Sequence, residues 1–221
     1  MKKNYEENNS ILNFIFEREE LKRNLIQDGF FINHKLHIID NYNILRINKR
    51  AIDFYEKNFM DTGCNTIIFY MDINEVRFLK DIVSIENGDG LYEILHYIKL
   101  YNSNKLNDFL KAPIRFMETM KRHGIDVYIQ FYKLNKNDLK FHGRYWLSSL
   151  DNGFKAYMVD ASLNTYPKSI ILAQLMDDVN KDILKKYIDK ELIPGCKNFK
   201  LIGLNDLRKL ISWIVSVLNK F

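Results

Sequence analysis

The sequence predicts a mixed α/β protein in which helices flank a layered sheet. Three observations favour this fold class. The run Thr66-Ile67-Ile68-Phe69-Tyr70-Met71 is rich in β-branched and aromatic residues, as buried strands are, and a similar run covers residues 125–131. A helical pattern lies between the two runs, which gives the strand–helix–strand unit of a layered α/β fold. The turn signal Asp151-Asn152-Gly153 then separates two segments that have the alternation of a hairpin.

The bulk composition restricts the class of protein. The chain has 221 residues, 47% apolar and 28% charged, which is enough to bury a sizeable core. No apolar run approaches the ~20 residues that a membrane span needs. The polar start at residues 1–9 leads to no signal-type apolar segment. We therefore expect a cytoplasmic protein with no membrane span, and we expect its two distant cysteines, Cys64 and Cys196, to be reduced.

The charge is mildly basic. A net charge of +5 and a pI near 9.0 permit a polyanionic partner without requiring one. The densest basic groups are residues 46–50 and residues 121–123. Each group could contact phosphate or form a solvated helix end, and the sequence leaves both interpretations open.

The elements of the first half follow from periodicity and turn signals. Apolar residues at helical spacing predict a helix over residues 10–27. The following elements are short strands at 30–32 and 36–39, a helix at 49–59, the strand at 66–71, a loop at 87–90 and a helix at 91–101. A further helix is predicted from Pro113 to Arg122, with Gly124 as its cap, before the strand at 125–131.

The second half is predicted to hold a hairpin over residues 139–164, a strand at 169–175 and a helix at 180–192. A short strand at 199–202 and a C-terminal helix capped by Asn205 complete the chain. We assign residues 1–60 to an N-terminal extension of helix and short strands. Residues 61–221 then form the main domain with the C-terminal helix.

The register of the hairpin decides which side chains share a face. We predict a three-residue loop that pairs Leu150 with Phe154, because a one-residue slip moves every side chain to the opposite face. One face is then almost wholly apolar, and it consists of Phe141, Gly143, Tyr145, Leu147, Tyr157, Val159, Ala161 and Leu163. The other face places His142 opposite Ser162 and Arg144 opposite Asp160.

That second face could bind and attack a phosphate. A neutral imidazole, here His142, can act as a nucleophile or proton shuttle near pH 7. Arg144, two residues on, stays charged and can hold phosphate oxygens bidentately. Ser162 and Asn164 add neutral hydrogen-bonding groups at the same face. The alternative that stays open is a structural histidine beside an Arg144–Asp160 cross-strand pair.

These residues also carry a family resemblance. His142-Gly143-Arg144-Tyr145 and Ala161-Ser162-Leu163-Asn164 resemble one half-motif of the phospholipase D-like superfamily, His-x-Lys-x4-Asp followed by Gly-Ser-x-Asn. The segment is more similar to the divergent bacterial branch that has a His-Asp-Arg-Tyr/Phe strand, a hairpin and a Gly/Ala-Ser-Leu-Asn/Lys end. The strand–helix–strand stretch before it suits the same fold, so the resemblance covers roughly residues 60–205.

The resemblance implies a phospholipase D-like layered sheet and a metal-independent phosphodiesterase or nuclease-like activity. His142 corresponds to the nucleophile that forms a phosphohistidine, and Arg144 stands where the family's lysine binds phosphate. Asn164 and Ser162 match the polar step that also contacts the phosphate. Ser149 stands at the position of the family's aspartate, and Gly143 at that of the branch's aspartate.

Only one half-motif is present, so an active enzyme requires a homodimer that supplies the second histidine. The alternative function is a catalytically inactive module that binds nucleic acid, a phosphate ligand or a protein partner through the same face. A purely structural subunit is the third interpretation. Domains of the phospholipase D-like kind tend to occur in bacterial defence and mobile-element systems. The resemblance therefore leads us to expect that context here. We expect no cofactor and no metal site, because His34 and His37 have no third ligand nearby.

Overall fold

The described residues of the computed structural model are 12–17, 21–31, 33–40, 44, 47–72, 103–134, 143–159, 169–175 and 178–218. They form a seven-stranded mixed sheet with helices packed against it, which confirms the predicted mixed α/β class. The strands are β1 (Leu12–Glu17), β2 (Lys35–Ile39), β3 (Thr66–Asp72), β4 (Asp126–Tyr132), β5 (Tyr145–Leu147), β6 (Ala156–Val159) and β7 (Ser169–Gln174). The helices are α1 (Leu21–Gln27), α2 (Lys49–Phe59), α3 (Ser103–Arg122), α4 (Asp178–Tyr187), α5 (Ile193–Cys196) and α6 (Leu204–Leu218). A π-helical segment, Ile188–Leu192, joins α4 to α5.

The strand order is β1-β7-β6-β5-β2-β3-β4. Strands β2, β3 and β4 are parallel to one another, whereas the other neighbouring pairs are antiparallel. Strand β2 therefore joins the two kinds of sheet, with β3 on one side and β5 on the other. The carboxyl ends of β2, β3 and β4 meet at one edge, which we call the carboxyl edge.

Both faces of the sheet are covered by apolar side chains. On one face Phe69, Trp146 and Tyr157 pack with helices α1, α2 and α3 in the first core. On the other face Tyr70, Leu147 and Ala156 pack with α4 and the π-helical segment in the second core. This three-layer arrangement explains the nearly continuous hydrophobicity of β3, since strands buried on both faces do not alternate.

Helix α2 connects two of the parallel strands and lines the first core. Asn48 caps its start, where the side-chain Oδ1 accepts a 3.0 Å hydrogen bond from the Ala51 amide. Phe54, Tyr55 and Phe59 are fully buried on the face toward the sheet. The predicted helix over residues 49–59 is confirmed, as are the strands predicted around residues 36–39, 66–71, 125–131 and 169–175.

Helix α5 packs against the end of β4. A Cβ at Gly195 would lie 2.9 Å from the Lys133 carbonyl oxygen, so only glycine permits this approach without a shift. The Lys133 amide donates a 3.2 Å hydrogen bond to the Gly195 carbonyl. The predicted helix over residues 180–192 begins at Asp178 and becomes π-helical at Ile188.

Several predicted boundaries are wrong. Residues 12–17 form strand β1, paired with β7, and only residues 21–27 of the predicted first helix are helical. Phe30 and Phe31 lie in the turn after α1 rather than in a strand. Helix α3 begins at Ser103, so Pro113 is interior to it. The helix predicted at residues 91–101 and the loop at 87–90 lie outside the described residues.

Two predictions near the C-terminus also need correction. The short strand predicted at residues 199–202 is reduced to a single antiparallel bridge between Ile202 and Ile129. Helix α6 begins at Leu204, so Asn205 is not its cap. The Gly203 amide instead donates a 3.0 Å hydrogen bond to the Asp206 carboxylate, one half of a capping box.

The predicted hairpin is present in its described part, but the register is wrong by one residue. Tyr145 pairs with Met158 and Leu147 with Ala156, not with Val159 and Tyr157. The predicted register gives one apolar and one polar face. Because apolar layers cover both faces of the sheet here, that contrast does not exist at β5 and β6.

Strand β2 and helix α2 lie within the same sheet and core as the elements that follow residue 60. The pairing of β2 with both β3 and β5 shows that residues 35–39 lie centrally in the sheet. Within the described ranges, every helix is too short or too polar to cross a lipid bilayer.

Candidate functional site

The carboxyl edge brings Asp40 and Arg144 together. Asp40 directly follows β2, and Arg144 directly precedes the antiparallel strand β5. The ladder pairs His37 with Leu147, Ile38 with Trp146 and Ile39 with Tyr145, so the next step places Asp40 opposite Arg144. The Arg144 Nε lies 3.6 Å from the Asp40 Oδ2. This is the spacing of an ion pair, somewhat longer than a hydrogen bond.

The two partners differ in their exposure to water. The Asp40 side chain is only 5% exposed, whereas that of Arg144 is 35% exposed. A carboxylate at such depth requires a compensating charge or hydrogen bonds. The guanidinium meets part of that requirement and still reaches solvent at the edge, where a ligand can approach it.

The backbone of Arg144 is held on its other side by the hairpin. The Val159 amide donates a 2.9 Å hydrogen bond to the Arg144 carbonyl, which continues the β5–β6 pairing by one residue. Arg144 is therefore fixed between β2 and β6, although it lies just outside a strand.

Gly143, which precedes Arg144, leaves space for the aromatic ring of Tyr145. A Cβ at residue 143 would overlap the ring of Tyr145. Burial raises the pKa of the Tyr145 hydroxyl, so the side chain that follows Arg144 is uncharged near pH 7. Gly143 thus has a local steric reason.

Of the four residues predicted to form the site, Arg144 is described and lies at the carboxyl edge. The other three, His142, Ser162 and Asn164, lie outside the described residues, as does Asp160. In the sequence, the predicted nucleophile His142 precedes Arg144 by two residues.

The second face of the carboxyl edge carries a buried aspartate and two tyrosines. Asp72 ends β3 and is 6% exposed. The Tyr187 hydroxyl donates a 3.3 Å hydrogen bond to that of Tyr132, the residue opposite Asp72 on β4. Burial, together with the nearby Asp72 charge, raises the pKa of Tyr187 to about 12. These phenols are therefore neutral near pH 7.

The described basic residues of the two groups found in the sequence lie in segments at opposite ends of the parallel strands. Lys49 and Arg50 are exposed at the start of α2, which follows the carboxyl end of β2. Lys121 and Arg122 end α3 and lead into the amino end of β4. The exposed Lys133 follows β4 at the carboxyl edge. The carboxyl edge therefore carries exposed positive charge in addition to Arg144.

The described histidines have structural partners. His37 lies on the face opposite Arg144, where its Nδ1 is 3.0 Å from the Tyr70 hydroxyl. Burial, assisted by Lys35, lowers the pKa of His37 to about 4, so it is neutral near pH 7. The exposed His34 Nδ1 lies 2.8 Å from the Gly63 carbonyl. His123 contacts the Glu56 carboxylate at 2.6 Å.

Metal and thiol chemistry find no support among the described residues. No group of three or more His, Cys, Asp or Glu side chains in the described part of the chain is arranged to hold a metal ion. Both cysteines are free thiols, and burial raises the pKa of Cys64 to about 11 and that of Cys196 to about 12. Neither thiol is ionised near pH 7, as a cysteine nucleophile must be.

Comparison with known proteins adds no family assignment, since no protein-family model matches the chain and no curated protein matches it.

Proposed function

We propose that this chain binds a phosphodiester at the carboxyl edge and acts as a metal-independent phosphodiesterase or nuclease-like protein of the phospholipase D-like type. The observation that carries the proposal is the position of Arg144. Its guanidinium is held at the edge by a buried carboxylate, is 35% exposed, and follows His142 by two residues. An arginine in this setting suits bidentate contact with phosphate oxygens.

The proposed reaction uses His142 as the nucleophile. Its imidazole forms a bond to phosphorus while the bond from phosphorus to the leaving oxygen breaks. A second histidine, supplied by another copy of the chain, donates a proton to that oxygen. Water then cleaves the phosphohistidine and restores the imidazole. Arg144 balances the phosphate charge, and Ser162 and Asn164 donate hydrogen bonds to its oxygens.

The charge at the carboxyl edge supports an extended polyanion as the substrate. Lys49, Arg50 and Lys133 are exposed and lie on segments that follow the carboxyl ends of β2 and β4. In the strand order, β5 and β4 are separated by β2 and β3. Three steps of ~4.8 Å between neighbouring strands separate β5, which follows Arg144, from β4, which precedes Lys133, by about 14 Å. A nucleic acid strand presents phosphates over such a length, so a nuclease-like function is favoured over hydrolysis of a small phosphodiester.

The second candidate function is a module that binds the same polyanion without cleaving it. Two observations favour it: the chain has one His-x-Arg segment, and Ser149 stands at the position of the family's aspartate. The Ser149 hydroxyl bonds within the hairpin turn, where it accepts a 3.0 Å hydrogen bond from the Asp151 amide. Binding requires only Arg144 and its basic surroundings.

The test measures binding and cleavage of fluorescent single-stranded oligonucleotides in the presence of a chelator. We expect cleavage by the wild-type chain, its loss in His142→Ala with binding retained, and weaker binding in Arg144→Ala. Arg208→Ala is the matched control, because Arg208 forms an exposed ion pair with Glu118 at 2.6 Å on a different element. This control should change neither property.

The outcomes separate the candidates. Binding without cleavage, with affinity lost in Arg144→Ala but not in His142→Ala, would support the binding module. Cleavage that disappears with the chelator would contradict the metal-independent mechanism. Wild-type affinity in Arg144→Ala would exclude the carboxyl edge as the phosphate site. The mass of the particle in solution tests the dimer, which we expect for the enzyme.

A further inference from the structure

We propose that Asp40 is the positioning residue of the phosphate-binding Arg144. This inference rests on the proposed function and extends it to a residue outside the predicted motif. The Asp40 carboxylate lies 3.6 Å from the Arg144 Nε and belongs to the neighbouring strand's end.

The geometry indicates that Asp40 orients the Arg144 guanidinium rather than only neutralising its charge. A guanidinium has five N–H donors in a planar fork, and a carboxylate 3.6 Å from Nε favours orientations that keep Nε toward Asp40 and leave the terminal nitrogens for another ligand. The Asp40 backbone is itself tied to the sheet, since its amide donates a 3.4 Å hydrogen bond to the Tyr70 carbonyl. A buried carboxylate at the end of a paired strand is therefore well placed to orient a partly exposed arginine.

The burial of Asp40 makes this contact stronger than a surface ion pair. Exposed pairs such as Lys121–Asp126, with side chains 61% and 55% exposed, are screened by water and contribute little. At 5% exposure Asp40 is shielded from water, so its field on Arg144 is less screened. The arginine then loses less conformational freedom when a phosphate binds, because part of its freedom is already lost.

The test is a double-mutant cycle on oligonucleotide affinity, with Asp40→Asn, Arg144→Ala and the double variant. Asparagine keeps the shape of the side chain and removes its charge. We expect Asp40→Asn to weaken binding about tenfold, the effect of losing one hydrogen bond or ion pair to a charged group. In the Arg144→Ala background the same change should have no further effect, because Asp40 acts through Arg144.

A structural role would give a different pattern. If Asp40→Asn weakened binding equally in both backgrounds, or left wild-type affinity intact, the inference would be overturned. Glu118→Gln serves as the control, since it removes the carboxylate partner of the exposed Arg208 and should leave affinity unchanged. An unchanged melting temperature for Asp40→Asn would show that affinity falls without loss of the fold.

Arg144→Lys provides a second variant that keeps a positive charge next to Asp40. A lysine ammonium cannot present separate nitrogens in a fixed plane to Asp40 and to phosphate. We expect it to retain stability and to bind about tenfold more weakly. Affinity equal to that of the wild type would contradict the inference.

A spectroscopic readout distinguishes failure of this inference from failure of the proposed function. The Arg144 Nε–H signal in ¹⁵N NMR should move in Asp40→Asn and stay in place in Glu118→Gln. If that signal does not move, Asp40 does not position Arg144. If it moves but the wild type binds no oligonucleotide, the phosphate site itself is wrong, and the positioning role for binding fails with it.

Discussion

At the scale of single residues, the sheet separates two polar side chains that are close along β2. Asp40 pairs with Arg144, whereas His37, three positions earlier, contacts Tyr70. Alternation along a strand produces this division, because residues an odd number of positions apart point to opposite faces. From the sequence, His37 and His34 are weak candidates for metal ligands. The structure shows that each ring has another partner, the Tyr70 hydroxyl for His37 and the Gly63 carbonyl for His34.

The buried His37 predicts a pH-dependent stability. Its pKa is about 4 in the folded protein and near 6.5 when unfolded, so the unfolded chain binds a proton first as pH falls. Stability from this group is complete above pH 6.5 and declines as the pH falls toward 4. Urea unfolding should therefore show a loss of about 2 kcal/mol between about pH 7.5 and about pH 5.

His37→Gln should largely remove that loss, and the exposed His34→Gln is the control that should retain it. An unchanged pH dependence in His37→Gln would show that other groups cause it.

At the scale of elements, the hairpin shows how packing overrides a pattern. Trp146 and Tyr157 share one face and lie in the first core, while Leu147 and Ala156 share the other face and lie in the second core. A sequence in which both faces are apolar does not specify its register through polarity, because a slip exchanges one apolar set for another. The register then depends on how well each side chain fits its layer.

Trp146 should be a large contributor to that fit. Its ring is 5.4 Å from the ring of Phe59 and 6.4 Å from that of Phe54, and the residue is 1% exposed. Trp146→Ala should lower the free energy of unfolding by about 3–5 kcal/mol, as large-to-small core changes do.

The half-buried neighbour Tyr145 on the same strand is the matched control, and Tyr145→Ala should cost less than half as much. Equal losses for the two variants in urea unfolding would contradict the observed difference in burial between the two side chains.

At the scale of the whole molecule, the two basic groups differ by their edge of the sheet. The sequence alone left both as phosphate-contact candidates. The parallel strands place Lys49 and Arg50 at the same edge as Arg144, and Lys121 and Arg122 at the opposite edge. Of the two basic groups, the topology therefore favours Lys49 and Arg50 as candidates to contact a ligand bound at Arg144.

This selection predicts an asymmetric response to charge reversal. Lys49→Glu/Arg50→Glu should weaken oligonucleotide binding. The slope of the logarithm of the binding constant against the logarithm of the salt concentration should become shallower by about 1–2. Lys121→Glu/Arg122→Glu changes the net charge equally and should have a much smaller effect. Similar losses in both variants would indicate a diffuse charge effect rather than a site at the carboxyl edge.

The sequence by itself determined the α/β class, most of the strands and helix α2, because a buried strand and an amphipathic helix are local patterns of apolar residues. It also indicated Arg144 as a phosphate contact, through its spacing from His142. The predicted roles of all four site residues stay predictions, and three of them, His142, Ser162 and Asn164, also lie outside the described ranges.

Only the tertiary structure decided the central place of β2, the hairpin register and the pairing of Asp40 with Arg144. Asp40 and Arg144 are over a hundred positions apart in the chain, and the sheet joins them by placing β5 against β2. A signal for Asp40 existed, since an aspartate directly follows a strand that ends in Ile38-Ile39. The sequence does not show which strand lies beside β2, so it does not show which charged residue lies opposite this aspartate. Neighbours within a sheet are chosen by packing and hydrogen bonding between distant segments, which a local pattern does not record.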